Sequence, residues 1–142
     1  MSNVKNTINK YLAEKNIKSK VQFVERHLKN QGGTVWECFK WEVTFFNEKD
    51  IFVKVDYHMG LAHIDENKNP KAPSVEEVIY SLNLDKYYAE LSFEEMCDEL
   101  GYQGSTVDTR KIYNDCKQAK SDLELMFTED QINSFDELFE EY

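Results

Sequence analysis

Apolar and polar residues change rhythm twice along this chain. Over residues 4–16, Val4, Ile8, Tyr11 and Leu12 recur at helical spacing, with Lys5, Lys10, Glu14 and Lys15 elsewhere. That stripe predicts a first amphipathic helix. Lys18-Ser19-Lys20 breaks it, and the period then falls to two. Val21, Phe23 and Glu25 alternate with Gln22, Val24 and Arg26, up to a turn at Gln31-Gly32-Gly33. From Thr34 to Phe46 the alternation is strongest. Val35, Phe39, Trp41, Val43 and Phe45 share one parity, and Trp36, Cys38, Lys40, Glu42 and Thr44 the other. Asn47-Glu48-Lys49-Asp50 is a polar hairpin connection. After it, Ile51, Val53, Val55 and Tyr57 alternate with Phe52, Lys54 and Asp56. Three consecutive strands with short turns predict an antiparallel meander with one wet face.

Residues 59–73 form the longest irregular stretch, and everything after Pro73 reads as helix. Ser74 with Glu77, Ser92 with Glu95 and Thr128 with Gln131 are capping-box pairs, in which each side chain satisfies a free amide of the first turn. The stripes behind them are Val75, Val78, Ile79 and Leu82, then Phe93, Met96, Cys97 and Leu100, and finally Ile132, Phe135, Leu138 and Phe139. A further helix over residues 108–127 carries Ile112, Tyr113, Cys116, Ala119 and Leu123, and Gly101 suits a helix C-terminus. The sheet must bury one face, and these helices are what can cover it. The expected architecture is a single α+β domain over 1–142: an N-terminal helix, a three-stranded antiparallel meander, then about four helices packed on the sheet.

Length and composition agree with one domain. The 142 residues are 41% hydrophobic and 13% aromatic, enough for a real core, and five glycines with two prolines leave no room for linkers or low-complexity segments. No apolar run reaches the length of a membrane span, and Met1-Ser-Asn-Val-Lys-Asn-Thr has no hydrophobic signal core. A cytoplasmic location is the expectation. Cys38, Cys97 and Cys116 are odd in number and lack CxxC or CxxH pairing, as suits reduced, buried thiols.

Charge changes the picture more. Residues 1–75 carry 12 Lys+Arg against 9 Asp+Glu, a net of +3, whereas residues 76–142 carry 5 against 18, a net of −13. Phosphate neutralisation supplies most of the affinity of a direct nucleic-acid binder, so this balance argues against one, and anionic membranes are disfavoured for the same reason. The acidity is expected to serve either solubility or a basic protein partner. On the second reading the contact residues are Glu94, Glu95, Asp98, Glu99, Asp136, Glu137, Glu140 and Glu141.

Candidate chemistry is sparse. His58, His63 and Asp65, with Glu66 alongside, are the one constellation of metal-ligand types, but their spacing across a loop is not a recognised one, so no metal and no cofactor is assigned. A metal-dependent enzyme or metal-stabilised module centred there is the alternative. Cys38 sits between Glu37 and Phe39, where a carboxylate would raise its pKa rather than activate it. Gly60, Gly101 and Gly104 build no phosphate cradle, and Ser105 and Thr106 have no basic partner nearby in sequence. Trp36 and Trp41 face opposite sides of one strand, so one of them belongs to the core. A second alternative is a structural or assembly protein that self-associates through an unpaired strand edge at Val21 or Ile51.

One resemblance spans about residues 34–120. Its residues are Trp36-x-Cys38, Tyr57-His58-Met59-Gly60-x-x-His63, and Pro73 ahead of Val78 and Ser81-Leu82-x-x-Asp85. They continue with Ser92-Phe93-Glu94-Glu95-x-Cys97-x-Glu99-x-Gly101-Tyr102 and Ile112-Tyr113-x-x-Cys116. This order resembles a family of small tailed-bacteriophage and prophage proteins with no assigned activity. The resemblance implies origin and carries over no catalytic residue. A small acidic phage protein without catalytic motifs looks like an anti-defence inhibitor of the anti-CRISPR or anti-restriction type, acting as a DNA mimic on a host nucleic-acid-handling protein, as monomer or homodimer.

Overall fold

The computed structural model describes residues 2–31, 34–102 and 107–140. Helix α1 (Ser2–Glu14) leads into strands β1 (Lys18–Gln31), β2 (Thr34–Phe46) and β3 (Ile51–Gly60). Helices α2 (Val75–Ala89), α3 (Phe93–Leu100), α4 (Val107–Met126) and α5 (Glu129–Glu140) follow. The sheet order is β1-β2-β3, antiparallel throughout, so the α+β meander-then-helices architecture expected from the sequence is what forms. The expected turn at Gly32-Gly33 and the Gly104–Thr106 segment lie outside the described residues.

Alternation along β2 decides where the sheet is buried. Phe39, Trp41, Val43 and Phe45 are all buried, in step with the period of two. Val43 and Phe45, with Val53 from β3, join Ile8 of α1, Ile79 of α2, Leu123 of α4 and Phe135 of α5 in the main core. Phe39, Trp41 and Met59 form a second cluster further along the same strands, where Phe23 stands edge-on to both Phe39 and Trp41. Trp41 is therefore the core tryptophan, and Trp36 is only half-buried. On the other parity, Lys40 pairs with Asp56 at 3.5 Å and Lys54 with Glu42 at 3.7 Å, while Cys38 is fully buried, so that side of the sheet is polar but not wholly exposed to solvent.

The helix ends follow their caps. Ser92 and Glu95 close a complete box on α3, and Thr128 with Gln131 do the same for α5. At α2 only half the device forms. Ser74 accepts from the Glu77 amide, while its hydroxyl donates to the Glu77 carboxylate. Gly101 ends α3 at φ 71°, a left-handed conformation that favours glycine whatever the space around it.

Candidate functional site

Register, not sequence spacing, assembles the site. Upstream of Phe23 the β1–β2 pairs run Val21↔Val43 and Phe23↔Trp41; downstream they run Glu25↔Lys40 and His27↔Cys38. Val24 falls at the step between the two registers and opposes nothing. A β-bulge of this kind re-aims every later side chain, and here it sets His27 across from Cys38. On the other flank, Cys38 pairs with Gly60 and Lys40 with His58, so His58 is the diagonal neighbour of Cys38. Gly60 offers no side chain there, and long side chains reach across such a diagonal.

The result is a converging triad with one residue from each strand. Nε2 of His27 lies 2.9 Å from Nδ1 of His58, and Sγ of Cys38 lies 3.5 Å from the first nitrogen and 3.8 Å from the second. The tautomer follows from the surroundings. Nδ1 of His27 is 3.0 Å from the Leu28 carbonyl, which can only accept, so Nδ1 carries the proton and Nε2 presents its lone pair to the cluster. Cys38 is fully buried.

His27 and His58 of the triad line a cleft of about 610 Å³ between the sheet and helices α2 and α4. Charged groups crowd it: Lys29 and Lys40 from the sheet, Asp85 from α2, and Lys111 and Asp115 from α4. Burial holds the Asp85 carboxyl at about 6, against the pull of Lys29. Burial likewise lowers the Lys29 ammonium and takes the His58 imidazole down to about 4, Lys29 adding its repulsion. The Cys38 thiol is raised, and Cys116 is pushed up to about 12, in both cases by burial first. The cause differs from the one expected: desolvation, rather than Glu37, keeps Cys38 protonated. Neither Cys38 nor Cys116 is an activated nucleophile.

His63 and Asp65 do not join His58. Among the described residues, the group whose ligand atoms converge is His27, Cys38 and His58, all within 4.8 Å of one another. His63 is exposed, with Nδ1 3.3 Å from the Gly60 carbonyl. Asp65 accepts from the Asn67 and Asn69 amides, holding the turn of the loop. His27 carries no signal in its own neighbourhood, since a period of two interrupted by an undetected bulge assigns it to the wrong face.

A second surface lies on the helices. Tyr80, Leu84 and Tyr87, spaced i, i+4, i+7 on α2, are 37%, 42% and 46% exposed. Helix α5 borders this stripe through Tyr80, whose ring meets Phe139 edge-on at 5.0 Å, and through Asp136, which accepts from Asn83 at 3.1 Å and pairs with Lys86 at 3.6 Å. Helix α3 borders its other end, where the Tyr87 hydroxyl donates to Glu99 at 3.1 Å. Of the acidic contact residues expected from the sequence, Glu94, Glu95, Asp98, Glu99, Asp136, Glu137 and Glu140 are exposed, and Glu141 lies outside the described residues. Three of them also have internal duties: Glu95 in the α3 cap, Glu99 on Tyr87 and Asp136 on α2.

No helix is long and apolar enough to cross a membrane among the described residues. Compared with family models, curated proteins and solved structures, the chain finds no match.

Proposed function

We propose that this protein is a non-catalytic inhibitor, of phage or prophage origin, that docks on the basic surface of a host nucleic-acid-handling protein. The observation that carries the reading is the apolar stripe Tyr80–Leu84–Tyr87 flanked by the acidic helices α3 and α5. An aromatic centre with a charged rim is the composition of a protein interface, because the buried rings supply affinity while the rim steers encounter. The net charge of −13 after residue 75 adds a field complementary to a Lys/Arg-lined nucleic-acid channel. The residue set of the phage-protein resemblance supports the assignment of origin.

The test is displacement. A panel of purified RNA-guided nucleases and restriction enzymes is mixed with labelled duplex DNA at low salt, and the protein is titrated in. Release of DNA from one of them, weakened when Tyr87 is replaced by alanine, supports the proposal. Failure to displace DNA from any enzyme of the panel, with the protein folded, counts against it.

A further inference from the structure

We propose that His27, Cys38 and His58 form a zinc site that takes one ligand from each strand of the sheet and leaves its fourth position open to the cleft. The geometry is that of a tetrahedron's face. Zinc bonds of about 2.3 Å to sulfur and about 2.0 Å to nitrogen set the two nitrogens about 3.3 Å apart and each nitrogen about 3.5 Å from the sulfur. The chain presents 2.9 Å between the nitrogens and 3.5 and 3.8 Å from nitrogen to sulfur. Shifts of a few tenths of an ångström close the difference.

The ligand orientation fits as well. A metal-binding histidine usually donates its other ring N–H to a carbonyl or carboxylate, which fixes the lone pair on the metal side. His27 does this through Leu28. Two imidazoles and a thiolate select a borderline-soft ion such as zinc over magnesium or calcium, which take oxygen ligands. Solvent in the cleft supplies the fourth donor.

The site has a structural consequence. At this end of the sheet the strands carry exposed apolar residues, with Leu28 65% and Val35 58% exposed. A metal held by β1, β2 and β3 together ties all three strands at one point, beyond the main core and next to the Phe39–Trp41–Met59 cluster. This inference stands apart from the docking reading, since none of its ligands lies on α2, α3 or α5.

The experiment uses the full chain. Apo protein is dialysed against zinc and analysed for metal content, and in parallel is titrated with cobalt(II), whose tetrahedral thiolate complexes give strong visible and near-ultraviolet bands. The expected result is one zinc per chain, a melting temperature that rises with zinc and falls with chelator, and a thiolate–cobalt spectrum. Cys38→Ser, His27→Gln and His58→Gln should each reduce bound metal to background, while His63→Gln keeps it in full. Wild-type protein that retains no zinc and shows no cobalt band overturns the proposal, and that measurement is independent of how any variant folds. Metal retained by Cys38→Ser but lost from His63→Gln also overturns it, placing the ion in the loop.

Discussion

His27 stands directly opposite Cys38 on the β1–β2 ladder, in a register one residue out of step with the pairing of Phe23 and Trp41. The step is taken up at Val24, whose side chain is 44% exposed. Excising Val24 should therefore join the two registers into one uninterrupted ladder and leave His27 facing Cys38. The cost should be about 1–2 kcal/mol, within the ordinary range for a single change. Denaturant melts and amide spectra of the deletion variant check this. A variant that fails to fold would show that the extra twist at the bulge is required by the second cluster of Phe39 and Trp41.

If the acidic face docks on a basic partner, association should slow steeply as salt rises, because exposed charges are screened over about 8 Å at physiological ionic strength. Charge reversal is best placed at Asp98, Glu137 and Glu140, since reversing Glu95 would also remove the α3 cap. The triple Lys variant should keep its melting temperature within a few degrees and lose on-rate, whereas Tyr87→Ala should mainly raise the off-rate. Stopped-flow or surface-capture kinetics at three salt concentrations separate the two. Rates indifferent to salt and to reversal would move the interface off this face.

Asp85 makes stability depend on pH in a definite direction. Its folded carboxyl holds a proton up to about pH 6, whereas an unfolded aspartate releases it near its ordinary 3.8. Between those values the folded state binds more protons, so this group's contribution to stability falls as pH rises from about 4 to 6. At pH 7 the folded chain carries the whole desolvation cost of the carboxylate. Asp85→Asn should accordingly stabilise the apo protein at pH 7 by on the order of 1–3 kcal/mol, with the gain vanishing below pH 4. Paired melts of the two proteins across that range give the answer. An asparagine variant less stable at pH 7 would mean that attraction to Lys29 outweighs desolvation.

The two tryptophans should part company in stability. Trp41 is buried, and its indole Nε1 has no hydrogen-bond partner among the described residues, so its contribution comes from packing. Trp41→Ala should cost about 3–5 kcal/mol, and Trp41→Phe markedly less, because the ring contacts with Phe23 and Phe39 partly survive and a buried N–H is removed. Trp36→Ala should cost less than Trp41→Ala. Chemical denaturation of the three variants orders them.

Much of this molecule is local, and what is local was legible in the sequence. The capping pairs at Ser92/Glu95 and Thr128/Gln131 act within one turn, the stripe of Val4, Ile8 and Leu12 depends only on helical period, and Phe39 to Phe45 alternate because a strand does. Those elements form where the pattern puts them, and so does the exposure of the acidic residues on α3 and α5. Tertiary structure alone decided which of these pieces meet. His58 is five residues from His63, yet it faces His27, 31 positions away, because strand register outranks proximity along the chain and a single unopposed residue at Val24 shifts that register. The apolar stripe of α2 likewise became an interface candidate only once α3 and α5 settled on either side of it, and the Asp85 carboxyl is raised to about 6 only because folding takes it out of water.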